Sequence, residues 1–391
     1  MLKENKNLKI IPEKLKEARL SRGYTVTSLA EKIGVLKQTI SKYELGQCSP
    51  SYEIMIKYCN LLNFDIDFFL FNNEENDDNY GTIFFRSLKS AESQIREEIK
   101  IRIKWTNLIY KYIDEFVEFP KLNLPDFDSQ LQGDLDLYKI EEIADTLRKY
   151  WNVSNGPINN LSVLLEQNGI ILCNSNINDV KVDACSEVIN STAIFFIRTN
   201  DISACRLRFD LAHELGHLIL HSGITKEELE NKELLDKIEK EANMFASAFL
   251  LPREEFSNEV LALSLDHFVN LKARWKVSIA AMIYRCKELG IFNDSQVLYL
   301  RKQISLKKWR TIEPLDDFIA IEKPKLLSNA IKLLIVNSLQ TKDQINKGVN
   351  IPKQDLLVLS NLPLDYLDED IDLKIKQKVL NINDFKLESN A

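Results

Sequence analysis

The sequence RLRFDLAHELGHLILH runs from Arg206 to His221 and predicts a helix with a metal-binding face. It holds three of the four histidines of the chain. Residues four apart lie on one face of a helix, so His213 and His217 can direct imidazole nitrogens at one zinc ion. Glu214 is offset by about 100° of helix rotation. Its carboxylate is therefore kept off the metal but can take a proton from water that the metal activates. The alternative interpretation is a helix with two surface or packed histidines.

A catalytic zinc needs a third protein ligand and an open position. We predict Glu241 as that ligand, 24 residues beyond His217. The small residues Ala242 and Ala246 beside it would allow close approach to the first helix. The competing carboxylates lie in a charged stretch typical of a solvated surface: Glu227, Glu228, Glu230, Glu233 and Glu239. His221 is expected at the helix end or behind the ligands, and His267 is expected to be structural.

The N-terminal segment, residues 1–71, predicts short helices separated by turn residues. The helices are expected over Glu13–Ser21, Val26–Ile33 and Leu36–Leu45, then from Pro50 to Leu61 or Leu62 with Ser49 as the N-cap, and finally as a turn over Asp65–Leu70. Residues 1–70 hold 11 basic and 8 acidic residues, a net charge of +3, whereas the whole chain carries −7. Any nucleic-acid contact is therefore expected in this segment.

The rest of the 391-residue chain is divided by composition into three further parts. Residues 72–134 begin with the acidic linker Asn72–Asn79 and continue as a long helix, about Ser87–Phe119, which could form a dimeric coiled coil or pack on its own domain. Residues 135–296 mix helices with the β-rich runs Ile170–Cys173 and Ala193–Arg198. The latter run could be an edge strand that pairs an extended substrate backbone beside a cleft, or an ordinary core strand. Residues 297–391 have helical patches without assignable chemistry. The expected fold is mainly α with a small β-sheet.

Composition narrows the functional classes. Apolar residues make up 45% of the chain, which suits packed domains. No apolar run reaches the roughly 18–20 residues of a membrane span, and residues 1–10 lack the apolar core of a signal peptide. The six cysteines form no C-x-x-C pair, a pattern typical of reduced thiols in a cytoplasmic protein.

Two resemblances follow from these motifs. The run Arg206–His221, with Glu241–Pro252 and about residues 84–314 around them, resembles the ImmA/IrrE family of zinc metallopeptidases. The resemblance implies a zincin-like α+β domain, with His213, His217 and Glu241 on zinc and Glu214 as the catalytic base. It also implies site-limited cleavage of helix-turn-helix repressors, which releases their genes.

The N-terminal helices resemble the Cro/repressor-type (XRE) helix-turn-helix family over about residues 11–70. Residues 29–35 and 39–46 carry the likeness. A recognition helix of this kind enters the major groove by its N-terminal end. Residues expected to face bases or phosphates are therefore Lys37, Gln38 and Lys42, with Thr39 and Ser41 as weaker phosphate contacts. The alternative is a helical module that docks a protein.

Together the patterns predict a cytoplasmic, DNA-binding zinc endopeptidase acting on a repressor-type protein. Its partners would be a double-stranded operator and that repressor, with a homodimer needed for tight DNA binding. The main alternative is a transcriptional regulator or antitoxin-like binding protein whose zinc domain senses or docks without proteolysis. A third possibility is self-cleavage at Asn72–Asn79.

Overall fold

The structure, a computed structural model, describes residues 10–70, 92–127, 130–131, 133–175, 184–225 and 228–368. Its architecture is mainly helical with one small sheet: an all-α N-terminal module and an α+β domain around the HELGH segment. The predicted linker Asn72–Asn79 lies outside the described residues. Within those residues, no helix combines the length and apolar character needed to cross a bilayer.

The N-terminal module comprises four helices and a 3₁₀ turn, in which local capping sets the boundaries. They are α1 (Pro12–Ser21), α2 (Val26–Ile33), α3 (Lys37–Glu44), α4 (Tyr52–Leu62) and the turn Ile66–Phe69. The Thr25 side chain accepts from the Ser28 amide at the start of α2, and Gly34, at a φ of +83°, ends it. The predicted cap of α4 is wrong: Ser51, rather than Ser49, accepts the first-turn amide, that of Ile54.

The long helix α5 (Ser93–Asp114) packs on its own chain, which favours the second of the two predicted arrangements. Its apolar side lies against α1 and the sheet, and Trp105 is fully buried there. The Trp105 indole donates a 2.6 Å hydrogen bond to Glu17 of α1, and Lys104 donates to the same carboxylate at 2.9 Å. These polar contacts fasten the N-terminal module to α5.

The sheet has the order β1–β3–β2, with strands β1 (Ile170–Ser175), β2 (Ala184–Ile189) and β3 (Thr192–Arg198). Strand β3 pairs parallel with β1 and antiparallel with β2. Of the two predicted placements of residues 193–198, the edge strand is therefore wrong and the core strand is the one found in the described sheet. Because β3 is covered on both faces, it is a continuous apolar run, with its buried side chains alternating between two cores.

Each face of the sheet belongs to a different core. Phe195 and Ile197 face the core that contains the helix of the HELGH segment, whereas Ile194 and Phe196 face the core shared with α5 and the N-terminal module. Helices α6 (Leu137–Tyr150) and α7 (Leu161–Gln167) precede the sheet. The sequence after it forms α8 (Ala204–Leu220), a 3₁₀ turn (Glu228–Glu230), α9 (Lys232–Leu250), α10 (Arg253–Glu259), α11 (Leu265–Trp275), α12 (Ile279–Glu288) and α13 (Asp294–Leu306).

The C-terminal helices complete the core that α5 shares with the N-terminal module. They are α14 (Leu326–Val336), α15 (Lys342–Val349) and α16 (Lys353–Leu359), and they pack on α5 and β1. Asp355 of α16 accepts hydrogen bonds from Arg22 of the N-terminal module at 2.7 and 3.1 Å. The predicted domain boundary after residue 296 would fall inside α13. Val297 of this helix lies in the same core as α8. The four-part division is otherwise still a prediction.

Candidate metal centre

Helix α8 presents its two motif histidines side by side. Ser203 caps the helix through a bond from the Arg206 amide, and the helix then runs unbroken past His217. The Nε2 atoms of His213 and His217 lie 3.0 Å apart. The side chain of His217 is 1% exposed and that of His213 is 16% exposed, so the pair sits at the floor of an opening. The predicted one-face arrangement is what the helix produces.

The carboxylate that meets this pair belongs to Glu239. Its two oxygens lie 3.3 Å from Nε2 of His213 and 3.4 Å from Nε2 of His217. These three residues form a group of potential metal ligands within the described chain. Helix α9 brings Glu239 there by packing along α8, where Gly216 leaves room for the backbone of Ala242.

The donor set fits zinc. Tetrahedral zinc with bonds of about 2.0–2.1 Å would hold its ligand atoms about 3.3 Å apart. The two Nε2 atoms lie 3.0 Å apart, and each lies 3.3–3.4 Å from a different oxygen of Glu239, so a small turn of the carboxylate would bring one oxygen near both. Two imidazoles and one carboxylate also match the protein ligands of several catalytic zinc sites, in which the fourth position is open.

The predicted third ligand, Glu241, does not reach the histidine pair. Its Oε2 instead lies 3.0 Å from Nε2 of His221. Glu241 lies two positions after Glu239 on the helix, a rotation of about 200°, so the two side chains cannot point at the same place. Glu239 shares a face with Ala242, three residues on, and Ala246, seven residues on. That pattern of small residues was the available signal, but the surrounding charges obscured it.

The outer nitrogens of both histidines are also engaged. Nδ1 of His213 lies 3.0 Å from the side-chain oxygen of Asn243. Nδ1 of His217 lies 3.1 Å from Nδ1 of His221. As predicted, His221 sits at the helix end, behind the ligand pair. The ring of His267 contacts the backbone of Glu259, as expected for a structural histidine.

Glu214 is buried beside the pair. The Ser186 hydroxyl of β2 donates a 2.5 Å hydrogen bond to Glu214 Oε2. Burial raises the pKa of Glu214 to about 7, against the lowering effects of His213 and of the Ser186 hydroxyl. Sequence reasoning did not find Ser186, because β2 carries no regular alternation of apolar residues.

Two of the three candidate ligands have pKa shifts that favour the form that binds a metal. The third, His213, has a raised pKa, because burial, which lowers it, is outweighed by the hydrogen bond to Glu239 and by nearby carboxylates. Burial lowers the pKa of His217 to about 4, which keeps the imidazole neutral. Burial also raises the pKa of Glu239, but the combined hydrogen bonds and charges of His213 and His217 outweigh it. The pKa of that carboxyl is therefore held well below its usual range.

A cleft of about 880 Å³ opens over the histidines. Glu214, Glu239 and Ala184 line it, together with Arg206. His221 is buried behind the candidate ligands and does not line it. The arrangement offers a metal position, a carboxylate base and room for an extended chain.

The predicted recognition helix is α3. Lys37, Gln38 and Lys42 are exposed on it, whereas Thr39 and Ser41 are half-buried. The apolar side chain of Ile40 faces inward and is fully buried. The helix therefore presents basic and amide side chains outward, as a major-groove reader would.

The fold and the site together define a helix-turn-helix protein that carries a zincin-like domain. Residues 15–69 match the helix-turn-helix family model, and residues 166–287 match the IrrE N-terminal-like domain of the peptidase M78 family. The chain therefore belongs to the helix-turn-helix transcriptional regulators, with an IrrE/ImmA-type domain after the N-terminal module.

Several helix-turn-helix regulators are similar to part of the chain. The HTH-type transcriptional regulator ImmR of Bacillus subtilis is 29% identical over 86 residues, 22% of this chain and 68% of that protein. The prophage-derived regulator YonR of the same species is 36% identical over 58 residues, 15% of this chain and 54% of that protein. An uncharacterized HTH-type regulator of Archaeoglobus fulgidus is 36% identical over 63 residues, 16% of this chain and 90% of that protein.

The chain spans about half the length of YonR. Among solved structures, a Mycobacterium tuberculosis transcriptional regulator aligns with 46% of this chain and 51% of its own. Its identity is 17% and its TM-score is 0.29.

Proposed function

We propose that this protein is a cytoplasmic, DNA-binding, zinc-dependent endopeptidase that cleaves a helix-turn-helix repressor and so releases the genes it controls. The observation that carries the proposal is the convergence of His213, His217 and Glu239 beside the buried carboxylate of Glu214. Helices α8 and α9, together with the hydroxyl of Ser186, hold this set in place at the floor of a cleft.

In this proposal, His213, His217 and Glu239 hold the zinc ion. When bound, zinc polarises a carbonyl group and makes water more acidic. Glu214 takes a proton from the attacking water and later gives it to the leaving amine. The Ser186 hydroxyl, donating to Oε2, fixes the direction of the Glu214 carboxylate.

The substrate backbone would lie along β2 rather than β3. Within the described sheet, β2 is an outer strand, and its residue Ala184 lines the cleft. An extended peptide can add to the edge of a sheet through main-chain hydrogen bonds. The order of the strands thus moves the predicted substrate contact to the strand that also carries Ser186.

The proposed DNA contact is made by α3, through Lys37, Gln38 and Lys42. The net charge of +3 on residues 1–70 favours weak, salt-sensitive binding by a monomer. A homodimer that spans two half-sites would give tight operator binding.

Glu214→Gln tests the proteolytic role. The purified variant is incubated with a repressor-type protein encoded beside the gene of this chain, and fragments are read by mass spectrometry. The variant should keep its zinc and its DNA binding but lose cleavage. The matched control is Glu254→Gln, at an exposed glutamate of α10, which should cleave normally. Cleavage that persists in Glu214→Gln would refute the assigned base.

The second candidate is a regulator whose metal domain senses or docks without hydrolysis, which is favoured by the regulator names of the relatives. It predicts the reverse pattern. Glu214→Gln would leave gene regulation unchanged, whereas loss of Lys37 and Gln38 would abolish it in a reporter assay.

A further inference from the structure

A chain of buried hydrogen bonds leads from one histidine of the metal centre into α9. Nδ1 of His217 lies 3.1 Å from Nδ1 of His221, and Nε2 of His221 lies 3.0 Å from Oε2 of Glu241. The exposed fractions of the three side chains are 1%, 2% and 7%. His221 and Glu241 are not part of the ligand trio, and the proposed reaction does not use them.

Helix geometry produces the connection. His221 follows His217 by one turn and occupies the C-cap of α8, so the two rings meet with centroids 5.2 Å apart. Glu241 reaches them from α9, on a different side of that helix from Glu239. Two glutamates of α9 therefore contact histidines of α8 at different positions. Glu239 lies next to the Nε2 atoms of His213 and His217, whereas Glu241 contacts His221, which lies behind His217.

Proton positions in the chain are fixed once a metal is bound. A neutral imidazole has one donor and one acceptor nitrogen. Nε2 of His217 must offer its lone pair to a metal, so the proton lies on Nδ1 and is donated to His221. The proton of His221 then lies on Nε2 and is donated to Glu241, because an ionised carboxylate can only accept. Each link has one donor and one acceptor.

The two ligand histidines are supported differently. Nδ1 of His213 meets the neutral side-chain oxygen of Asn243, whereas His217 is supported by a carboxylate through a second imidazole. The Lys237 amine lies 3.9 Å from the other oxygen of Glu241, where it partly balances the buried charge. Carboxylate support of this kind orients a ligand imidazole and makes it more basic.

We propose that His221 and Glu241 are positioning residues of the metal centre, which orient His217 and strengthen its bond to zinc. This inference rests on the proposed zinc site. Glu241, which the sequence predicts as a ligand, thereby takes a different role: it is connected to His217 through two hydrogen bonds and does not bind the metal itself.

The test measures zinc affinity by competition with a chromophoric chelator, using zinc alone as the probe and the full chain. Glu241→Gln keeps the shape but removes the charge, and His221→Phe removes the acceptor for His217. Each should weaken zinc binding by about 10–100-fold, the usual effect of losing such a partner. His221→Asn restores an acceptor oxygen and should recover much of the lost affinity.

Two controls separate positioning from packing. Glu233→Gln, at an exposed glutamate of the same helix, should bind zinc as the wild type does. Thermal unfolding compares the stabilities of metal-free His221→Phe and His221→Asn. The visible spectrum of bound cobalt(II) should differ from the wild-type spectrum in the phenylalanine variant and return to it in the asparagine variant.

Wild-type affinity in both Glu241→Gln and His221→Phe would overturn this inference alone. So would an asparagine variant as weak as the phenylalanine variant, because packing would then account for the loss. A wild-type chain that binds no zinc would overturn the inference together with the proposed function.

Discussion

Gly216 is the contact point on which the metal centre depends, and Gly216→Ala should damage the centre far more than the fold. A Cβ atom at this position would lie 3.1 Å from a ring carbon of Phe245 and 3.2 Å from the Cα and carbonyl oxygen of Ala242. Ordinary carbon contacts begin near 3.5 Å, so α9 would have to move away by about 0.3–0.5 Å. Overpacking of this kind costs about 1–3 kcal/mol.

Alanine also has a higher helix propensity than glycine, a gain of about 1 kcal/mol. The free energy of unfolding should therefore fall by only about 0–2 kcal/mol. Glu239 lies one turn before Ala242 and moves with it. Because zinc sites tolerate distance errors of about 0.2 Å, the affinity for zinc should fall by about tenfold or more.

Chelator competition gives the zinc affinity, and urea unfolding in the presence of EDTA gives the stability. Gly223→Ala is the matched control, since a Cβ there meets nothing within 4 Å and should change neither quantity. Wild-type zinc affinity in Gly216→Ala would refute the reasoning that this crossing sets the position of Glu239. A large loss of metal-free stability would refute the estimate of the packing cost.

Further predictions concern the scaffold and the N-terminal module. Glu166 accepts the amides of Lys325 and Leu326, each at 2.9 Å, and burial raises its pKa from 4.5 to about 6. The folded chain therefore binds this proton more tightly than the unfolded chain. The free energy of unfolding should fall by about 2 kcal/mol as the pH rises between these two pKa values. Urea unfolding of Glu166→Gln should not show this pH dependence. Asp355→Asn removes the charge of the carboxylate to which Arg22 donates. The free energy of unfolding, measured in urea, should fall by about 3 kcal/mol; a loss below about 0.5 kcal/mol would show that this contact is unimportant for stability. Lys42→Ala should reduce the slope of log affinity against log salt by about one, measured by fluorescence anisotropy on a DNA duplex; an unchanged slope would argue against a phosphate contact.

The histidine pair and most helices could be predicted because their causes are local. The i, i+4 spacing of His213 and His217 places both on one face of any helix that contains them. The bounds of α2 follow from the Thr25 cap and from Gly34, and the structure reproduces them. In such segments a few neighbouring residues determine the backbone.

The third ligand and the sheet could not be predicted as well, because their causes are tertiary. Glu239 has charged neighbours in sequence and is buried only because α9 packs along α8. Strand β3 is central only because β2 pairs with it, and β2 carries no alternating pattern that marks it as a strand. The hydrogen bond between Glu241 and His221 likewise depends on how α9 packs along α8.

The most direct test of the account is a crystal structure of the zinc-loaded chain, with the ion located in an anomalous difference map at the zinc edge. The account predicts one ion within about 2.0–2.2 Å of Nε2 of His213, Nε2 of His217 and a carboxylate oxygen of Glu239. Glu241 should remain on His221, without contact to the ion. An ion bound by Glu241 or His221, or no ion between the two histidines, would contradict it.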